Sequence, residues 1–167
     1  MARTVGIGFD GYRSFAPPGW EPPTFEREVG TIRDRMGGVD AWAQLAFDGD
    51  EPAGHVGLLA DPTPATVYLW QLFIRPAYWG TGLADRLHAA FLTESRARGY
   101  EQARLRTPEG QARARRFYER NGWETDGLPT FEDVLGLDLL VYTRAGVDVA
   151  RGQAEHRVRH ARLRPRP

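Results

Sequence analysis

A strand that runs straight into a helix needs a turn that a side chain does not obstruct, and the stretch Leu69 to Ala84, LWQLFIRPAYWGTGLA, spells out all three parts. An apolar run rich in β-formers reaches Pro76, two glycines follow at 80 and 82, and a helix-forming pattern opens near Leu83. Without a Cβ, Gly80 and Gly82 let the backbone come close to a ligand. The helix start adds unpaired N–H groups and the positive end of its dipole. That combination is a cradle for an anion such as a diphosphate. The turn lacks the Gly-Lys-Ser/Thr ending of a nucleoside-triphosphate loop, and Ala84 stands where a dinucleotide fingerprint has its late glycine.

The rest of the chain is read outward from this unit. Arg3 to Phe9 alternates like a first strand, and the Pro-rich APPGWEPPT at 16–24 is a loop. Phe25, Val29, Ile32 and Met36 line one face of a helix that Gly37 and Gly38 stop, and this face is expected to pack on a sheet. Two strands, Ala41 to Phe47 and Ala53 to Leu59, flank a short turn, and Thr66 to Arg75 leads into the glycines. After the cradle, Leu83, Leu87, Ala90 and Phe91 mark a helix closing at Gly99. Then come a short strand at Ala103 to Arg106, a helix from Gly110 to Arg120 and a last strand near Leu135 to Tyr142. The order βαβββαβαβ predicts an α/β fold with a mixed sheet.

At 167 residues the chain suits one domain, expected over 1–147, followed by an Arg-rich tail at 148–167. The formal net charge of zero hides an asymmetry: the tail carries six Arg against Asp148 and Glu155, about +4, and leaves about −4 on the body. A short basic terminus with few apolar residues reads as a solvated extension rather than a nucleic-acid module. The absence of Lys among 22 basic residues is read as a trace of genome composition. The chain has no cysteine and four scattered histidines, which excludes a thiolate nucleophile and points to metal-free chemistry. Neither a membrane-span run nor a signal-peptide pattern is present, so a soluble, cytoplasmic protein is expected.

The glycine turn resembles the pyrophosphate-binding signature of the GNAT superfamily of acyl-CoA N-acyltransferases, Q/R-x-x-G-x-G/A, with Trp79, Gly82 and Ala84 on its marked positions. Trp79 stands where the family has Gln or Arg. Downstream, QARARRFYERNGW at 111–123 is similar to the family's N-x-x-A-x-x-F-Y-E-x-x-G-F segment, with Gln111 for Asn and Trp123 for Phe. The resemblance covers roughly residues 41 to 145, judged by motif order and element pattern. It implies a mostly antiparallel central sheet whose middle strands splay, flanked by helices, and acetyl-CoA as cosubstrate. The cosubstrate contacts it implies are Leu72, Phe73 and Ile74 on the strand, Trp79, Gly80, Thr81, Gly82, Leu83 and Ala84 in the cradle, and Gln111 and Ala114 beyond.

Acyl transfer from a thioester to an amine needs a donor on the developing oxyanion, a sink for the amine proton and an acid for the departing thiolate. The resemblance implies Tyr118 as that acid, and a phenol near pKa 10 suits a thiolate. A core role for Tyr118 on an amphipathic helix is the alternative. Tyr68 and Trp70 occupy positions where many family members carry Glu or His, so no evident base lies there, and His55 and Glu51 are the nearest alternatives in sequence. Trp20, Tyr68, Trp70, Phe131, Glu132 and Asp133 are candidates for the acceptor pocket, where a carboxylate can hold a cationic amine. The expectation is an N-acetyltransferase that acts on a primary amine of a small molecule or of a peptide or protein. A catalytically idle acyl-CoA-binding regulatory module is the rival reading, and self-association as a homodimer stays open.

Overall fold

The structure is a computed structural model that describes residues 1–147; the Arg-rich segment 148–167 lies outside the described residues. Two helices, α1 (Ala2–Asp10) and α2 (Phe25–Met36), precede three strands, β1 (Trp42–Asp48), β2 (Glu51–Ala60) and β3 (Thr66–Ile74). Helix α3 (Leu83–Ala97), β4 (Gln102–Pro108), α4 (Ala112–Arg120), β5 (Thr130–Glu132) and β6 (Leu137–Ala145) complete the chain. The strands form one sheet in the order β1-β2-β3-β4-β6-β5, antiparallel throughout except where β3 lies parallel to β4.

The first element corrects the sequence reading. Residues 3–9 are helical, although Val5, Ile7 and Phe9 alternate as a strand would. Helical spacing wins because it brings Val5, Phe9 and Tyr12 together, at i, i+4 and i+7, into a buried cluster with Leu137 and Leu139. Gly8 permits the close approach of α1 to the sheet, since a Cβ there would lie 2.1 Å from Cδ1 of Phe73. Helix α2 is correspondingly displaced from the expected role: it packs on α1, its Ile32 joins that cluster, and Phe25 stays 53% exposed. Its ends follow sequence rules. The Thr24 hydroxyl accepts from the Arg27 N–H at the start, Glu26 and Glu28 lie in the first turn, and the chain stops at Gly37.

The opposite face of the sheet carries the larger core, where Val56, Leu58, Val67, Leu69 and Leu105 meet Leu87 and Phe91 of α3 and Trp123 beyond α4. His88 is part of this core, accepting at Nε2 from the Trp123 indole N–H at 2.9 Å.

Two irregularities in β3 create the space for a site. Leu69 pairs with Leu58 and Gln71 with Gly57, so Trp70 is an extra residue in the ladder. This bulge switches the alternation: Leu72 and Ile74 share the α3-side core with Leu69, while Phe73 turns to the α1 side. In addition, β3 pairs with β4 only from Thr66 to Tyr68. Beyond Tyr68 the two strands diverge, β3 following β2 and β4 following β6.

Candidate active site

A cavity of about 1020 Å³ occupies the opening between β3 and β4 and extends from α2 to the glycine turn and α4. The edge of β3 that faces it has no ladder partner from Leu69 to Ile74, so the N–H groups directed there are open to a ligand. At one end lies the turn before α3. Gly80 and Gly82 have φ of +79° and +77°, left-handed values that glycine adopts without strain. Gly82 is the N-cap of α3 and supplies no side-chain cap, which leaves the first-turn amides beginning at Leu83 without a side-chain acceptor. Asp85 in that turn is held by Arg120 of α4 at 3.1 Å.

Trp79 replaces the usual polar residue by a different construction. Its indole N–H donates to the Ile74 carbonyl at 3.0 Å and so closes the turn, and the Arg113 guanidinium from α4 lies 4.2 Å from the ring centroid. Arg113 also lines the cavity, so positive charge reaches the cradle from another helix. Thr81 faces away from the cavity lining, its hydroxyl donating to the Tyr78 carbonyl at 2.7 Å.

Tyr118 lines the cavity from α4, with its ring packed edge-on against Phe117 and Trp123. Burial pushes its phenol well above the ordinary value, and the neighbouring Tyr12 and Tyr68 add to this, so it is held protonated. Among the described residues its hydroxyl has no hydrogen-bond partner.

The far end is formed by α1, α2, β4 and the β5–β6 turn. Tyr12, Glu28, Arg35, Tyr68, Arg106 and Glu132 meet there. Arg106 and Glu132 form an ion pair across the wall. Tyr68 is raised above its ordinary value by burial, with Arg106, Arg104 and Arg35 pulling the other way. Glu28 is only 9% exposed and has no hydrogen-bond or ion-pair partner among the described residues; burial raises its carboxyl above the usual range and Arg27 offsets part of this.

Most of the residues expected from sequence line this cavity: Leu72, Phe73, Ile74, Trp79, Gly80, Gly82, Leu83, Ala84, Gln111, Ala114 and Tyr118, with Tyr68, Trp70 and Glu132 toward the far end. Others are elsewhere. His55 is fully buried outside the lining, with Nδ1 2.6 Å from Thr4 Oγ and Nε2 2.9 Å from Gln71 Oε1. Burial lowers it to about 4, and with both ring nitrogens engaged it is a core histidine outside the cavity. Glu51 is exposed and paired with Arg75 at 3.1 Å. Trp20 donates its indole N–H to the Leu135 carbonyl at 2.6 Å, behind the lining. Phe131 is 59% exposed and Asp133 is also on the surface. Glu28, Arg35, Tyr12 and Arg113 escape the sequence reading. For Glu28 and Arg35 a signal exists: they share a stripe of α2 with Thr31, at i, i+3 and i+7, beside the apolar one.

Residues 9–123 match the profile of the Acetyltransferase (GNAT) family. The chain belongs to that family. Its fold is also that of solved GNAT-type acetyltransferases. An acetyltransferase from Thermus thermophilus superposes with a TM-score of 0.66 at 21% identity over 86% of this chain and 87% of the other. The PaiA N-acetyltransferase from Thermoplasma acidophilum, solved in complex with coenzyme A, gives 0.65 at 15% identity over 86% and 89%. The ribosomal-protein-S18-alanine N-acetyltransferase from Escherichia coli gives 0.60 at 16% identity over 75% and 78%. No curated protein sequence matches the chain. Among the described residues of this acetyltransferase no helix is long and apolar enough to cross a membrane, and no group of three or more His, Cys, Asp or Glu could hold a metal ion.

Proposed function

We propose that this chain transfers an acetyl group from acetyl-CoA directly to a primary amine, both substrates being held in one ternary complex. The observation that carries this reading is the continuity of the cavity, which joins an uncapped glycine turn, an uncommitted Tyr118 and a charged far end. The residues present suit the cosubstrate: the amides from Trp79 to Ala84 and the start of α3 accept a diphosphate, and Arg113 adds charge. When bound, acetyl-CoA supplies the acyl group as an activated thioester.

The unpaired N–H groups of β3 between Leu69 and Ile74 hold the thioester carbonyl and stabilise charge that develops on its oxygen. Tyr118 donates its hydroxyl proton toward the departing sulfur. A phenol raised by burial stays protonated until that moment, a thiolate generated beside it is made more basic by the same desolvation, and the proton that the neutral amine loses on attack returns to the Tyr118 phenolate. The amine enters from the α1–α2 side, where Tyr68, Trp70 and Glu132 line the wall.

Release of free thiol from acetyl-CoA, followed across a panel of small amines and peptides, tests the proposal. Amine-dependent thiol release with formation of the acetylated amine is the expected result. Tight CoA binding without turnover of any amine would replace the transferase by the regulatory acyl-CoA-binding module.

A further inference from the structure

Helix α2 presents two stripes. Val29, Ile32 and Met36 are half-buried, Ile32 in the cluster with α1, while Glu28, Thr31 and Arg35 lie roughly a quarter-turn round the axis, at about 100° per residue, and line the cavity. Burying a carboxylate without a partner is costly, and the N-terminal dipole of α2, which favours an acidic residue in the first turn, does not require that residue to turn into a cavity. Glu28 is such a group: it is 9% exposed, lines the cavity and accepts no hydrogen bond from any described residue. Arg27 is beside it in sequence and eases the charge without bonding to it.

Arg35 is the complementary feature. It has no carboxylate partner among the described residues, it lines the same cavity, and its charge acts on the buried Tyr68 phenol, which puts the guanidinium over the far end. Side chains on a helix tilt toward its N-terminus, so Arg35 leans back over Thr31 in the direction of Glu28. The cation and the anion on the opposite wall, Arg106 and Glu132, already neutralise each other. What remains for a ligand at this end is the Glu28 carboxylate open to the cavity, with Arg27 beside it, and the Arg35 guanidinium two helical turns further along, with the Thr31 hydroxyl between them.

We infer that the acceptor is a small amine that carries its own carboxylate, its ammonium received by Glu28, to which it passes one proton to become the neutral nucleophile, and its carboxylate by Arg35. This rests on the transferase reading and narrows its substrate to amino-acid-like amines. An uncharged or purely cationic amine would leave Arg35 unanswered. A planar guanidinium matches a carboxylate through two parallel N–H donors, which gives the site a reason to prefer the acid over its decarboxylated analogue.

The test is calorimetric titration of the full chain, free and saturated with CoA, with an ω-amino acid ladder and with the alkylamine of each chain length that lacks the carboxylate. The native protein is expected to bind at least one amino acid about tenfold or more tightly than its matched amine. Arg35→Gln should abolish that difference with little effect on the amine, Glu28→Gln should weaken both members of the pair, and Arg33→Gln on the same helix should change neither. Equal affinity within every matched pair, no binding of any member, or a preference that survives Arg35→Gln would overturn the inference. Thermal melting of each variant separates loss of fold from loss of site, and Arg35, being exposed, offers a variant with an intact core. The two readings fail differently: acetylation confined to amines without a carboxylate leaves the transferase standing and removes this acceptor class, whereas absence of CoA binding removes the transferase while the titrations on free protein still report on Glu28 and Arg35.

Discussion

The two ends of the cavity are built by different means. The end proposed for the cosubstrate comes from a contiguous stretch, the glycine turn and the start of α3, with α4 laid across it; the chemistry proposed for it resides in backbone amides that no side chain has to provide. The end proposed for the acceptor is assembled from α1, α2, β3, β4 and the β5–β6 turn, and its polar groups are side chains far apart in sequence. One end therefore follows from local geometry, and the other exists only after the chain has folded. An acyltransferase built this way can keep its cosubstrate site while its acceptor site is rewritten residue by residue.

Tyr118 stands where the two ends meet, so its loss should have the largest effect on catalysis. Tyr118→Phe keeps the ring against Phe117 and Trp123 and removes only the hydroxyl, and turnover should fall by roughly 10² to 10⁴ with acetyl-CoA affinity little changed. Steady-state kinetics with the amine that is turned over, paired with acetyl-CoA titration, measures both. Unaltered turnover would reject Tyr118 as the acid, and equal damage to binding and stability would make it a packing residue.

The next prediction compares the two faces of the sheet by their histidines. His55 lies under α1 with Thr4 and Gln71, and His88 lies in the α3-side core against Trp123; burial lowers each to about 4. Both are neutral when folded, while the unfolded chain takes up protons near the ordinary value of about 6.5. Their contribution to stability is therefore complete above about pH 6.5 and is lost as the pH falls from there toward 4, amounting to a few kcal/mol together. Urea denaturation at pH 7 and at pH 4.5 should show the loss, and His55→Gln and His88→Gln should each flatten the dependence. A variant with an unchanged slope would mean that its histidine already carries the charge in the folded protein.

The same division explains what the sequence discloses. The strands β1 to β3, the glycine turn and α3 are legible because turn glycines and apolar periodicity act over a few residues. Helix α1 reads as a strand because Val5, Ile7 and Phe9 alternate; what decides its form is the burial of Val5, Phe9 and Tyr12 against Leu137 and Leu139, more than 120 positions away, which no local pattern announces. Glu28 stays hidden for a related reason. On α2 the apolar stripe draws attention to the buried side, yet the cavity lies against the neighbouring polar one. His55 is the natural candidate base on its strand, and only the fold reveals that Thr4 and Gln71 occupy both its nitrogens.

Gly82→Val probes the cosubstrate end alone. At φ of +77° a β-branched residue is strained by roughly 1–3 kcal/mol, so either the turn changes shape or the strain remains. CoA affinity should fall by roughly 10- to 100-fold, the same free energy expressed as binding. Calorimetry on a variant that melts cooperatively decides this. Unchanged affinity would mean that the diphosphate does not rest on this turn, and the contrast between a backbone-built end and a side-chain-built end would lose its first term.

Removal of residues 148–167 should have the smallest effect. The segment belongs to neither motif, and the described domain closes on itself before it: β6 ends at Ala145, and Val147 is fully buried in the core with its N–H donating to the Glu101 carbonyl at 3.3 Å. A chain ending at Val147 keeps that contact, so CoA affinity, turnover and melting temperature should match the full chain closely. The one term that changes is electrostatic: loss of about +4 leaves a body near −4, which should slightly disfavour a polyanionic cosubstrate at low salt and have no effect once salt screens beyond about 10 Å. Titrating CoA into both chains at low and at physiological ionic strength distinguishes the cases. A loss that persists in salt would show that the tail makes direct contacts in the cosubstrate end, and that this end too depends on residues distant in the sequence.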